Sequence, residues 1–168
     1  METAAFDPAG IEERLSELRD PAAIQDNLGR MRRAIMDDPA LAIGSAKELV
    51  ESTAKTVLTE RGLPCNEKDD LPALVSQAQR ALGVHPAENA ASPDMTEAVR
   101  RILGGLVTVT SGLTELRNRG YGTGHGPSGA RVGLRSRHAH LAVNTAIAWC
   151  QFMLDTLADP EAPWRSGP

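Results

Sequence analysis

Between Met95 and Leu116 apolar residues return at alternating intervals of four and three: Met95, Val99, Ile102, Leu106, Val109, Leu113 and Leu116. That spacing puts all seven on one stripe of an α-helix, whereas a strand would need a period of two. A stripe this long must be covered by other helices, so it constrains the whole chain. Gly104-Gly105 in its middle costs helix propensity, and a close approach by a neighbouring helix is the expected reason for the pair.

Proline marks where the other helices begin. Asp7-Pro8, Asp20-Pro21, Asp38-Pro39 and Ser92-Pro93 each set a capping side chain before a residue whose missing N–H costs nothing in a first turn. Helices are expected over about 8–19, 21–36, 39–61, 71–82, 93–118 and 130–157. The second has Ile24, Leu28, Met31 and Ile35 at helical spacing, and the third carries Ile43, Ala46, Val50, Thr53 and Val57 on one face before ending at Gly62. Asp70 caps the fourth, which buries Leu71, Leu74, Val75, Ala78 and Leu82. In the sixth, Leu134, Leu141, Ala148 and Phe152 lie on one side. Ala142, Ala146, Trp149 and Met153 lie near the other, as in a central helix. Aromatic residues make up only 3% of the chain, so the core is built from aliphatic side chains, which favours helices over a β-sandwich. The expected fold is an all-α bundle of about six helices in a single domain-sized chain of 168 residues. Residues 1–36 form an N-terminal helical extension, 37–158 the main domain, and 159–168 a flexible tail.

The net charge of −4 argues against unspecific coating of nucleic acid. Charge is nevertheless uneven: from Leu116 to Leu154 there is no Asp or Glu, while Arg117, Arg119, Arg131, Arg135 and Arg137 all fall there. A local basic surface on an acidic body suits a site for one or a few phosphates. Cys65 and Cys150 match neither a disulfide framework nor a zinc site, and read as reduced thiols of a cytoplasmic protein. No membrane span, metal or cofactor is expected.

The chemically richest stretch is Leu116-Arg-Asn-Arg-Gly-Tyr-Gly-Thr-Gly-His-Gly126, a glycine-rich hinge between the last two long helices. A plain connection between helices needs no Arg, Asn and His together, and five glycines from Gly120 to Gly129 allow backbone to approach a ligand closely. Gly124-His-Gly-Pro-Ser-Gly129 matches the dinucleotide fingerprint only as letters, because a helix rather than a strand precedes it. A phosphate-loop reading fails at Ala130-Arg131, where Lys and Ser or Thr are required. His138 reads as a packed or partly exposed helix residue, His140 points elsewhere, and His85 lies in a linker. Lys47, Glu51 and Lys55, at intervals of four, read most simply as a solvated ion-pair ladder.

Two stretches together carry a resemblance: Asp38 to Leu58, with its Glu51-x-x-x-Lys55 pattern, and Leu116 to Gly126, followed by the Ala-rich last helix. They resemble the C-terminal domain of abortive infection proteins, which is grouped with the HEPN superfamily of helical bundles, over about Met36 to Leu157. The resemblance implies defence against bacteriophage through a metal-independent ribonuclease. Arg117, Asn118 and His125 take the positions of the motif arginine, its polar neighbour and the histidine. Glu51 and Lys55 match a supporting element, and Arg119, Tyr121, Gly124 and Gly126 are supporting or RNA-binding candidates. Seven residues separate Arg117 from His125, longer than the family's usual gap, whereas five separate Arg119 from His125. The implied partners are RNA, a second copy of the chain and a silencing antitoxin or sensor protein. The alternative reading is a non-catalytic module that binds RNA, a nucleotide or a protein through the same basic hinge.

Overall fold

The computed structural model describes residues 9–66, 68–87, 95–116 and 135–165, which form six α-helices and no strand. They are α1 (Ala9–Leu15), α2 (Ala22–Ala34), α3 (Pro39–Glu60), α4 (Leu71–Ala81), α5 (Glu97–Leu116) and α6 (Ser136–Ala158), followed by one 3-10 turn at Pro163–Arg165. The bundle is organised around α3, which packs on α2, α4, α5 and α6, while α1 rests on α6.

Capping explains most of the helix boundaries. Asp38 accepts from the Leu41 N–H at 3.0 Å, and Asp70 accepts from the Ala73 N–H at 2.9 Å. α2 differs from the expected Asp20 cap. Pro21 itself holds the N-cap position with no side-chain cap hydrogen bond, the helix starts at Ala22, and Asp20 accepts from the Ala22 N–H just outside it. The fifth helix begins later than Ser92-Pro93 implies. Thr96 takes the capping role, accepting from the Val99 N–H, and the helix runs from Glu97. Asp7-Pro8 and Ser92-Pro93 lie outside the described residues. α3 closes with Gly62 at φ +67°, and the Leu63 N–H reaches back to the Leu58 carbonyl. Only glycine takes that left-handed conformation without strain.

One core runs through the bundle, with Trp149, Ile11, Ile24, Met31, Ile43 and Leu49 among its largest fully buried side chains. α6 supplies Ala139, Ala142, Val143, Ala146, Trp149, Cys150, Met153 and Leu154. It is long and apolar enough by length and composition to cross a membrane, and these buried residues are what that composition serves. Of the two apolar sides expected of a central helix, the one carrying Leu141 and Ala148 faces outward: Leu141 is 67% exposed and Ala148 is exposed. Burial of Cys150 pushes its thiol up to about 12, with the neighbouring Thr53 hydroxyl offsetting part of the shift.

α5 corrects its own sequence stripe. The period is helical, but the buried line is Leu103, Thr110 and Leu113, rotated from the expected centre, and Ile102 is 65% exposed. Thr110 is accommodated because its hydroxyl donates to the Val107 carbonyl at 2.7 Å. Among the described residues no close contact is found at Gly104-Gly105, where a Cβ built on either glycine meets no atom within 4 Å.

Beyond α6 the chain turns back on itself. Trp164 donates its indole N–H to the Thr156 carbonyl at 3.0 Å, and the guanidinium groups of Arg61 and Arg165 each lie 4.1 Å from its ring centroid. Arg165 also donates to the carbonyls of Leu157 and Asp159, which α6 leaves open at its end.

Candidate functional site

The polar face of α3 carries Lys47, Glu51 and Lys55 one turn apart, so their side chains meet. Glu51 accepts from Lys55 Nζ at 2.7 Å and from Lys47 Nζ at 3.1 Å, one lysine on each carboxylate oxygen. Partial burial works against the charge of Glu51, but the two lysine hydrogen bonds and their positive charges outweigh it and hold the carboxyl below the usual glutamate value. The Lys47 side chain is only 15% exposed, so this is a partly buried triad rather than a fully solvated ladder. Spacing identifies the partners; burial depends on the helices packed on α3, which spacing does not reveal.

Next to the triad, α2 and α3 enclose a cleft of about 240 Å³ lined by Asn27, Arg30, Glu48, Glu51 and Ser52, with Ala23 and Asp26. Asn27, almost fully buried, donates to the Ser52 hydroxyl at 3.2 Å, and Arg30 pairs with Glu48 at 2.8 Å. Three carboxylates, Asp26, Glu48 and Glu51, and one cation, Arg30, thus line the opening, and Glu51 also meets the two lysines.

A second concavity lies where α5 ends and α6 begins. Val109, Gly112, Leu113 and Leu116 of α5 and His138, Leu141, Ala142 and Thr145 of α6 line an apolar groove of about 220 Å³. Arg135 and Arg137 stand exposed at its α6 end. His138 sits in the first turn of α6, where its Nδ1 accepts from the Arg135 backbone N–H at 3.0 Å. A neutral ring therefore carries its proton on Nε2. His138 is half-buried, in keeping with a packed or partly exposed helix residue, and its ring also closes the helix start, which in the structure lies at Ser136 rather than near Ala130 as the sequence suggests. His85 is similarly fixed: Nδ1 accepts from the Ala87 N–H, so Nε2 donates to the Ser76 hydroxyl at 3.1 Å.

Of the sequence candidates, Glu51 and Lys55 are brought together directly. Arg117, Asn118, Arg119, Tyr121, Gly124, His125 and Gly126 lie outside the described residues. Among the described residues no group of three or more His, Cys, Asp or Glu is placed to hold a metal ion.

No curated protein and no solved structure gives a significant match to the chain. A family model does, over residues 22–157, and its description is Abi_C, HEPN-like domain. The match spans α2 through α6, including the Glu51-Lys55 turn and the whole hinge between α5 and α6. A six-helix bundle centred on α3, matched over most of its length, thus belongs to the Abi_C family of HEPN-like domains.

Proposed function

We propose that this chain is a phage-defence endoribonuclease that cleaves RNA by general acid–base transesterification without a metal. The observation that carries the reading is family membership over residues 22–157, which takes in Arg117-Asn118 and His125 in their motif order. In the reaction a base removes the proton of a ribose 2′-OH, and the oxygen attacks the adjacent phosphorus. The bond from phosphorus to the 5′-oxygen breaks, and an acid protonates that oxygen. The products are a 2′,3′-cyclic phosphate and a 5′-OH. Histidine titrates in the range both transfers need, and arginine matches the oxygens of the charged transition state in a bidentate way.

One hinge offers one histidine for two proton transfers. We therefore infer a homodimer in which His125 and Arg117 of both copies serve a shared cleft, with Asn118 positioning the phosphate. Arg119 and Tyr121 then contact the RNA, and Gly124 and Gly126 admit its backbone. Glu51 draws Lys55 and Lys47 into fixed positions as a supporting cationic element. The chain is expected to act in the cytoplasm, with an antitoxin or sensor protein as a further partner.

The test is cleavage of mixed RNA substrates in EDTA by the wild type and by His125→Ala, Arg117→Ala and Arg119→Ala, each checked for helical content. Loss of His125 or Arg117 is expected to lower the rate by about 10²-fold or more, with cyclic phosphate ends on the wild-type products. A folded, dimeric wild type that binds RNA without cleaving any of it points instead to a binding module. Loss confined to Arg119→Ala moves the motif arginine to the shorter gap.

A further inference from the structure

The cleft between α2 and α3 has a nearly buried acceptor that its surroundings leave open. Asn27 is 6% exposed, and its Nδ2 donates to the Ser52 hydroxyl at 3.2 Å, which fixes the amide plane. Its Oδ1 has no hydrogen-bond partner among the described residues, yet it is not sealed inside the core, so it opens onto the cleft that Asn27 lines. An amide oxygen held this deep costs free energy unless water or a ligand brings it a donor.

Charge at the same opening is one carboxylate in excess. Glu48 pairs with Arg30, and Glu51 with Lys47 and Lys55, but exposed Asp26 at the lip has no ion pair among the described residues. An unpaired carboxylate beside an unpaired amide oxygen calls for a positively charged group that carries N–H donors. The carboxylates are not placed to hold a metal ion, and the lip repels phosphate.

We propose that this cleft binds a guanidinium group, carried either by a small free molecule or by an arginine side chain of a partner protein. A guanidinium spreads its N–H groups in a rigid plane, so one group can donate to Asp26 and Asn27 on α2 and to Glu48 on α3; an ammonium is a compact, more strongly hydrated point charge. Arg30 shows that this lining accepts the geometry, since its own guanidinium crosses from α2 to Glu48 at 2.8 Å. The volume of about 240 Å³ suits a head group, with the rest of the ligand outside. The occupant lies against Glu51 and so beside the lysine triad, but its binding does not depend on the ribonuclease reading.

NMR titration of the full chain reads the site, with agmatine, putrescine and a capped glycine–arginine–glycine peptide as probes, each compared with sodium chloride at equal ionic strength. Agmatine or the peptide is expected to shift the Asn27 side-chain amide and the backbone amides from Ala23 to Arg30, with a dissociation constant on the order of 10⁻⁴ to 10⁻³ M. Putrescine, which offers only ammonium groups, should bind several-fold more weakly. Asp26→Asn should raise the constant about threefold or more. Ala23→Met, on the exposed rim of the cleft, fills the opening and should abolish the shifts without lowering the melting temperature. Tighter binding of agmatine names a free molecule as the source, and tighter binding of the peptide names a partner's side chain. Shifts that sodium chloride reproduces, that persist in both variants, or that putrescine gives equally well overturn the proposal. RNA cleavage is not read in this titration, so the site and the ribonuclease fail separately.

Discussion

Glu51 joins two lysines of unequal burial, Lys47 at 15% and Lys55 at 37% side-chain exposure, and its lowered pKa ties that junction to pH. A carboxyl whose pKa is lower folded than unfolded stabilises the protein above its unfolded value, near ~4.3, and loses that contribution as pH falls through the folded value. Glu51→Gln keeps the length and one acceptor but removes the charge. It is expected to cost up to about 1 kcal/mol at neutral pH, discounted for partial exposure, or a few degrees in the melt. As pH falls through the lowered folded value the two melting curves should converge, because the wild-type carboxyl is then protonated. Thermal unfolding of both proteins across pH 3 to 8 reads this, and a constant gap across the range would show that the triad's charge is not the cause. Equal rates of RNA cleavage by both proteins would in turn remove Glu51 and its lysines from the supporting role.

At the scale of single helices, α5 shows what periodicity delivers and where it stops. Alternating fours and threes identified a helix correctly, yet Leu103, Leu106, Val107, Val109 and Leu113 put apolar groups around much of its circumference. Phase is then set by which neighbours are close, and α5 has α3, α4 and α6 against it. Asp38 and Asp70 were legible as caps because a cap is a local event, settled within one turn. Thr96 was not, because Ser92-Pro93 offered an equally good start four residues earlier. The same contrast holds at the site: the one-turn spacing of Lys47, Glu51 and Lys55 announced their contact, whereas the α5–α6 groove joins Gly112 to Leu141 and His138 across a long interval of sequence. The rotated phase has a measurable consequence. Leu103→Ala removes a fully buried side chain and is expected to cost about 2–4 kcal/mol. Ile102→Ala, one residue away, should cost under about 0.5 kcal/mol in urea unfolding at low protein concentration, where a second copy contributes nothing. Equal costs would return the buried line to the position read from sequence alone.

Across the whole molecule, α3 and α6 supply the contacts that hold the other helices, and the last described residues close over their ends. Trp164 lies between Arg61 at the C-terminal end of α3 and Arg165 of its own turn, while its N–H takes a carbonyl near the end of α6. Pro163 approaches Gly83 at the end of α4, where an added Cβ would lie 3.1 Å from the proline Cβ. The 3-10 turn therefore ties three helix ends together, and Ala162 beside it is fully buried. Pro and Gly in this stretch suggest a loose end by composition, and only the partners of one aromatic side chain show what it does. Trp164→Ala removes a half-buried ring, two cation–π contacts and a hydrogen bond, so a loss of about 2–3 kcal/mol is expected, below the cost of a fully buried tryptophan. For a chain of this size that corresponds to a fall of roughly 5–10 °C in melting temperature. Trp164→Phe keeps a ring over both guanidinium groups while giving up only the N–H, and should recover more than half of the loss. If the alanine and phenylalanine variants melt together, the indole hydrogen bond to Thr156 carries the closure and the stacked arginines contribute little. If neither differs from the wild type, the ends of α3, α4 and α6 are held by the core alone.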